Sequence, residues 1–220
     1  MKIEHLLAAL RRTVLAALAI ALFAGLATSA NAQVVFDDAV NGNASGDGDA
    51  PTEVTFSLGS NIINGTVTSP DNTRNYYTFT IGAGQELSAI NLDSISVSVG
   101  DPVVDNPVDP GFFALVAGTT SVVPNNSADL PDFVNLGGDL FAPADAGADL
   151  LARIADGGIS SGSGFSNIGA GDYTFVIQQT GPEASSFSLD FQVTTAVPEP
   201  TSGILLAGLG LVGLARRRRR

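Results

Sequence analysis

The chain contains no cysteine and no tryptophan, and beyond residue 32 it has no histidine, lysine or methionine either. Without histidine or cysteine there is no Ser-His-Asp or Cys-His nucleophilic system and no imidazole or thiolate zinc site. Without lysine there is no Schiff base. What survives is carboxylate chemistry, either a glycosidase-like acid pair or a calcium site. No enzymatic activity is expected. A cysteine-free chain also lacks any covalent staple, so its stability rests on apolar burial and backbone pairing.

Positive charge is scarce except at the two ends. Between residues 33 and 196 only Arg74 and Arg153 are basic, against twenty acidic residues, a net charge of −18. Such a surface repels nucleic acid and anionic headgroups, so a nucleic-acid partner is excluded. It keeps a protein soluble outside the cell and attracts divalent cations.

The first 32 residues have the layout of an export signal. Lys2, Arg11 and Arg12 precede an apolar run over residues 14–26, and the exit "SANAQ" sets Ala30 and Ala32 around Asn31. This small-x-small pattern predicts cleavage by signal peptidase between Ala32 and Gln33.

The other end reads "VPEPTSGILLAGLGLVGLARRRRR". As a helix, residues 203–215 would span about 20 Å, short of a hydrocarbon core of about 30 Å. Arg216, Arg217, Arg218, Arg219 and Arg220 would stay cytoplasmic and halt translocation. Pro198 and Pro200, flanking Glu199, hold the backbone extended just outside the membrane, where a protease can reach it. A Pro-Glu-Pro box, an apolar stretch and an arginine cluster in this order resemble the PEP-CTERM sorting signal of Gram-negative bacteria. That resemblance implies recognition of Pro198, Glu199 and Pro200 by an exosortase, from a precursor held in the inner membrane, and delivery to the cell surface or the exopolysaccharide matrix.

Between the ends, period-two alternation predicts strands. "NYYTFTI" puts Tyr77, Phe79 and Ile81 on one face and Tyr76, Thr78 and Thr80 on the other; "SISVSVG" alternates Ile95, Val97 and Val99 with serines. "DYTFVIQQ" groups Tyr173, Phe175 and Ile177. "FSLDFQV" sets Phe187, Leu189, Phe191 and Val193 against Ser188, Asp190 and Gln192, which predicts an inward-facing Phe191. "EVTFSL", "IINGTVT" and "FFALVAG" are weaker candidates. Strands buried on one side predict antiparallel sheets stacked face to face. Residues 135–158 break the pattern; Gly and Pro make them a long connection with a helical turn, on which Ala148, Leu151, Ala152 and Ala155 share a side. Gly65, Tyr77, Phe79, Ile81, Ala83 and Gly84 together resemble the opening pattern of bacterial pre-peptidase C-terminal domains, which implies an extracellular jelly-roll sandwich.

The expected fold is therefore all-β, an antiparallel β-sandwich or jelly roll, flanked by an N-terminal signal-peptide helix and a short C-terminal hydrophobic helix. Its parts are a signal peptide (1–32), an extracellular sandwich (33–196) and a sorting segment (197–220). Side-chain oxygens at Asn41, Asn43, Ser45, Asp47 and Asp49 suit a hard cation, so Asn41, Asn43, Asp47 and Asp49 are candidate calcium ligands in what otherwise reads as a solvated acidic leader. Asp101, Asp105 and Asp109 form a second acidic group in a proline-rich loop, and Asp172 with Asp190 is the one candidate acid pair. The expected function is that of a structural or adhesive matrix protein, or alternatively a calcium- or carbohydrate-binding module associated with exopolysaccharide. Beyond calcium no cofactor is expected, and the processing partners are signal peptidase and exosortase.

Overall fold

In the computed structural model the described residues are 32–68, 73–98, 111–121, 136–156, 167–179 and 184–196. The segments expected to form the terminal helices, the sorting segment and the residues around Asp101, Asp105 and Asp109 lie outside them.

Two sheets carry the fold. The first contains β1 (Gln33–Asp37), β3 (Gly59–Thr68), β9 (Ala184–Thr195) and β5 (Gln85–Ser98), in the order β1-β3-β9-β5. The second contains β2 (Thr52–Glu53), β4 (Arg74–Ile81), β8 (Gly171–Gln178), β6 (Gly111–Ala117) and β7 (Gly137–Phe141), in the order β2-β4-β8-β6-β7. The pairing is antiparallel except at two edges, where β1 runs parallel to β3 and β2 parallel to β4. Both exceptions come from the first twenty or so residues of the body, which lie along each sheet in turn. The expected solvated leader is thus corrected: Phe36, Ala44 and Val54 are buried, and backbone hydrogen bonds tie the segment to β4.

The best-patterned strand is β9, at the centre of its sheet. Phe187, Leu189, Phe191 and Val193 are all buried in the main core. Phe191 sits among three other rings, 5.0 Å from Phe56, 5.6 Å from Phe79 and 5.4 Å from Phe175. Facing it, Leu87, Ile90 and Leu92 of β5 complete the apolar layer, but their spacing is not strictly alternate. Register shifts between Leu87 and Ala89 and between Leu92 and Ser94 re-aim the strand, as bulges do. Those bulges hide the first half of β5 from a period-two reading.

The turn from β4 to β5 crosses between the sheets. Gln85 N–H bonds the Gly82 carbonyl across it, and Gly84, with φ 74°, takes the left-handed position that such a turn requires. Gly65 is needed for a different reason. A Cβ there would lie 2.6 Å from Phe187 Cζ and 2.9 Å from the Tyr77 hydroxyl.

Two expectations need correction. "EVTFSL" contributes only Glu53 to the two-residue β2; Val54 still donates its N–H to the Thr78 carbonyl, and Phe56 continues as packed chain outside any strand. Residues 135–158 hold β7 and a helix, α2 (Leu150–Asp156), following the four-residue α1 (Asp38–Asn41) in chain order. Leu150, Leu151 and Ile154 are the buried side of α2, whereas Ala152 is exposed. Leucine and isoleucine bury more apolar area than alanine, so they set the helix orientation. Arg153 then bridges Asp139 at 2.7 Å and Asp145 at 3.1 Å and lies 5.7 Å from the Phe113 ring. Burial works against its charge, but the two carboxylates outweigh that and raise its pKa.

Candidate functional site

The candidate calcium residues are held in local turns. Asn41 Oδ1 accepts the Asp37 N–H, Asp47 Oδ1 accepts the Asp49 N–H, and Ser45 Oγ accepts the Asp47 N–H. Asn43 is exposed. These Asx-type contacts are what short polar side chains make with their own backbone. Among the described residues no group of three or more acidic side chains is placed to hold a metal.

Asp172 and Asp190 do not form a pair. Asp172 lies on β8 and accepts the Thr80 hydroxyl at 2.7 Å; Asp190 lies on β9 in the other sheet and accepts the Ser60 hydroxyl at 2.7 Å. Both alternate away from the core, so two packed sheets stand between them.

Two hollows were not foreseen. The smaller, about 190 Å³, is lined by Asp37, Asp38, Asn64, Gly65, Thr66 and Ser186. Asp38 caps it: Oδ2 accepts the Thr66 N–H, while Oδ1 is buried with no hydrogen-bond partner. Burial pushes the Asp38 pKa up, against the pull of the Thr66 N–H. Its charge adds to burial in raising the pKa of the nearby Tyr77 hydroxyl, which accepts a hydrogen bond from Asn75 Nδ2 at 3.3 Å.

The larger hollow is a groove of about 420 Å³ beside the β2 edge, lined by Glu53, Val54, Thr55, Phe56, Thr78, Phe79, Thr80 and Thr119. Four threonine hydroxyls and one carboxylate edge it, and the half-buried Phe56 ring, tilted by 32° against Phe79 with centroids 4.6 Å apart, contributes an apolar patch. No basic side chain lines it. Thr78 and Thr80 were legible as outward positions of β4. Glu53 reaches the groove through the pairing of β2 with β4, and Thr119 because the chain leaving β6 returns toward that edge, where Ser121 N–H bonds the Gly48 carbonyl.

Of the predicted signal-cleavage residues, Gln33 opens β1 and Ala32 directly precedes it; Ala30 lies outside the described residues. At the other terminus β9 ends at Thr195, and Ala196 N–H bonds the Gly84 carbonyl at 2.9 Å. Pro198, Glu199, Pro200 and the arginine cluster follow, outside the described residues. Among the described residues no helix is long and apolar enough to cross a membrane.

No curated protein matches the chain. Among solved structures it is similar to Salmonella Typhimurium PliG, a periplasmic lysozyme inhibitor of g-type lysozyme, at 16% identity and a TM-score of 0.29, over 66% of this chain and 100% of that one. Residues 196–220, starting at the residue that β9 hands over to the tail, match the PEP-CTERM protein-sorting motif. Residues 196–220 are thus a PEP-CTERM sorting motif, which implies export and processing of the precursor by an exosortase.

Proposed function

We propose that the protein is a non-enzymatic component of the cell surface or extracellular matrix, structural or adhesive in role, released to its final place when the tail is processed. The sorting motif over residues 196–220 carries this reading. Its support in the body is chemical. A cysteine-free sandwich with net charge −18 between residues 33 and 196 suits a crowded exterior, and its one candidate acid pair is split between two sheets. Replacing Pro198-Glu199-Pro200 by three alanines in a host with an exosortase should leave cleavage at Ala32 intact and trap the protein in the inner membrane. Mass spectrometry of the matrix-associated wild type decides the matter. A C-terminal peptide still running through Leu211 to Ala215 would make the tail a permanent anchor and overturn the reading.

The groove favours a second, compatible reading, contact with a neutral polysaccharide. Threonine hydroxyls and Glu53 suit sugar hydroxyls, Phe56 suits the apolar face of a pyranose, and the absence of a basic lining residue disfavours an acidic sugar. Retardation of the wild type in a neutral-glucan affinity gel, lost in Phe56→Ala and Glu53→Gln, would support it. Equal mobility of wild type and variants would remove it.

A further inference from the structure

The last strand is fastened unequally along its length. From Ala184 to Val193, β9 is paired on both sides, with β3 and with β5. Val193 is 2% exposed, and two residues before it the Phe191 carbonyl accepts a hydrogen bond from the side chain of buried Asn61. Pairing with β3 stops where Gly59 stands opposite Val193. Thr194 and Thr195, both exposed, are paired only with Glu86 and Gln85 of β5. Ala196, half-buried, adds an N–H bond of 2.9 Å to the Gly84 carbonyl, and the Thr194 hydroxyl donates to Glu86 at 3.4 Å on the surface. The stretch Thr194–Ala196 thus holds to the body by one strand edge and buries no side chain fully.

This stretch adjoins the sorting box. Val197 alone separates Ala196 from Pro198. Ala196 donates toward β5, and the next residue of that alternation is Pro198, which has no N–H to give. The acceptor at Gly84 is firmly placed, because the turn that carries it is closed by Gln85 N–H on the Gly82 carbonyl and by Gly82 N–H on Gln85 Oε1.

We propose that Thr194–Ala196 is a releasable clasp: an exosortase engages the Pro-Glu-Pro box after these residues peel off β5, and Val193 is where the peeling stops. This rests on the reading that an exosortase processes the tail. A protease takes its substrate as extended chain inside a cleft, so the residues flanking the box must stand clear of the folded body. With Ala196 bonded to Gly84, Pro198 is at most about 7 Å from the body; with the clasp open and Val193 the last fixed residue, it is up to about 17 Å away. Opening breaks only surface pairing along one edge, which puts it among the low-cost local openings of a fold. Where opening and closing are fast relative to cleavage, processing follows the population of the open form, so the clasp sets its rate. Further peeling would pull Val193 and then Phe191 from the core against pairing on both sides. The body therefore stays folded while its tail is processed.

The clasp can be locked. Ala196 N–H bonds the Gly84 carbonyl around the pair Gln85 and Thr195, which makes that pair the non-hydrogen-bonded kind. Such pairs bring their Cα atoms to about 4.5 Å, within reach of a disulfide. The chain has no cysteine of its own to interfere, and the periplasm oxidises an introduced pair. The full chain carrying Gln85→Cys with Thr195→Cys is expressed in a host with an exosortase, beside each single variant and the wild type. Mass spectrometry verifies the crosslink, and pulse-chase follows conversion of precursor to processed protein. The expected result is conversion several-fold slower in the crosslinked chain than in either single variant, restored when Gly-Ser-Gly-Ser is inserted between Ala196 and Val197. Equal rates in crosslinked and single variants overturn the clasp and leave the sorting reading standing. A slowed chain that the insertion does not restore also overturns it, because reach is then not what the lock removed. A wild type that is never processed in that host overturns the sorting reading itself.

Discussion

The outer faces of the two sheets obey different rules. On the four-stranded sheet, Thr66, Ser186 and Ser96 form one cross-strand row and Asn64, Ser188 and Ser94 the next, all polar and at least partly exposed. On the five-stranded sheet the matching row is Tyr76, Val176 and Ala114, joined by Phe112, and all four are buried in a second apolar cluster. One sheet has one buried face; the other also buries the middle of its outer face, although Thr80 and Asp172 at its end stay exposed. Alternation along a strand reports which residues share a face; it does not report whether the far face meets water. The run "FFALVA" in β6, apolar at every position, is the signature of the doubly buried case.

The comparison can be broken most forcefully at the shared core. Phe191→Ala removes the ring at the centre of the aromatic cluster and should cost about 3–5 kcal/mol in denaturant unfolding. Ser188→Ala, three residues earlier on the solvated face, should stay within about 0.5 kcal/mol. On the five-stranded sheet the outward Phe112→Ala should cost about 3 kcal/mol, toward the lower end for a buried aromatic because its cluster is small. A Phe112→Ala cost as small as that of Ser188→Ala would make the two outer faces alike and remove the contrast.

A smaller effect tests the seam between the sheets. Gly65→Ala forces a methyl against Phe187 and the Tyr77 hydroxyl and should cost about 1–3 kcal/mol. Adding Phe187→Leu should recover part of that loss, because it relieves the nearer contact.

The smallest expected effect concerns pH. The Asp38 carboxyl has a raised pKa in the fold, so the folded state holds its proton to higher pH than the unfolded chain does. Its contribution is then greatest below the ordinary carboxylate pKa and is lost as pH rises through the folded value. Asp38→Asn should therefore stabilise the protein at neutral pH and flatten the fall in stability on leaving acid. Thermal melts across that range check the sign, and an unchanged slope would remove Asp38 as its source. The Asn41–Asp49 oxygens, already bonded in local turns, should leave the melting temperature indifferent to calcium and chelator.

How much was legible depended on how local the cause was. β9 and β4 were readable because their residues alternate without interruption, and the sandwich followed from that. β5 was half hidden because two bulges change which residue faces inward. α2 was oriented by Leu150 and Ile154 meeting β5 and β7, contacts distant in sequence. Of the candidate sites, the oxygens near Asn41 had a plausible spacing, but spacing says nothing about which backbone N–H a carboxylate will accept. The groove combines a β2 carboxylate, β4 hydroxyls and Thr119, and no single stretch of sequence contains it.

The sequence by itself determined the sorting signal this protein carries and the chemistry open to it. A sorting signal is read as a linear order of Pro-Glu-Pro, apolar run and arginines, and a missing histidine or cysteine is missing in every conformation. Only the tertiary structure decided which faces are wet, that Asp172 and Asp190 stand apart, and that β1 begins and β9 ends at the same end of the four-stranded sheet. Those facts depend on strand order and register, which are set by packing among residues as far apart as Asn61 and Phe191, and no local pattern encodes them.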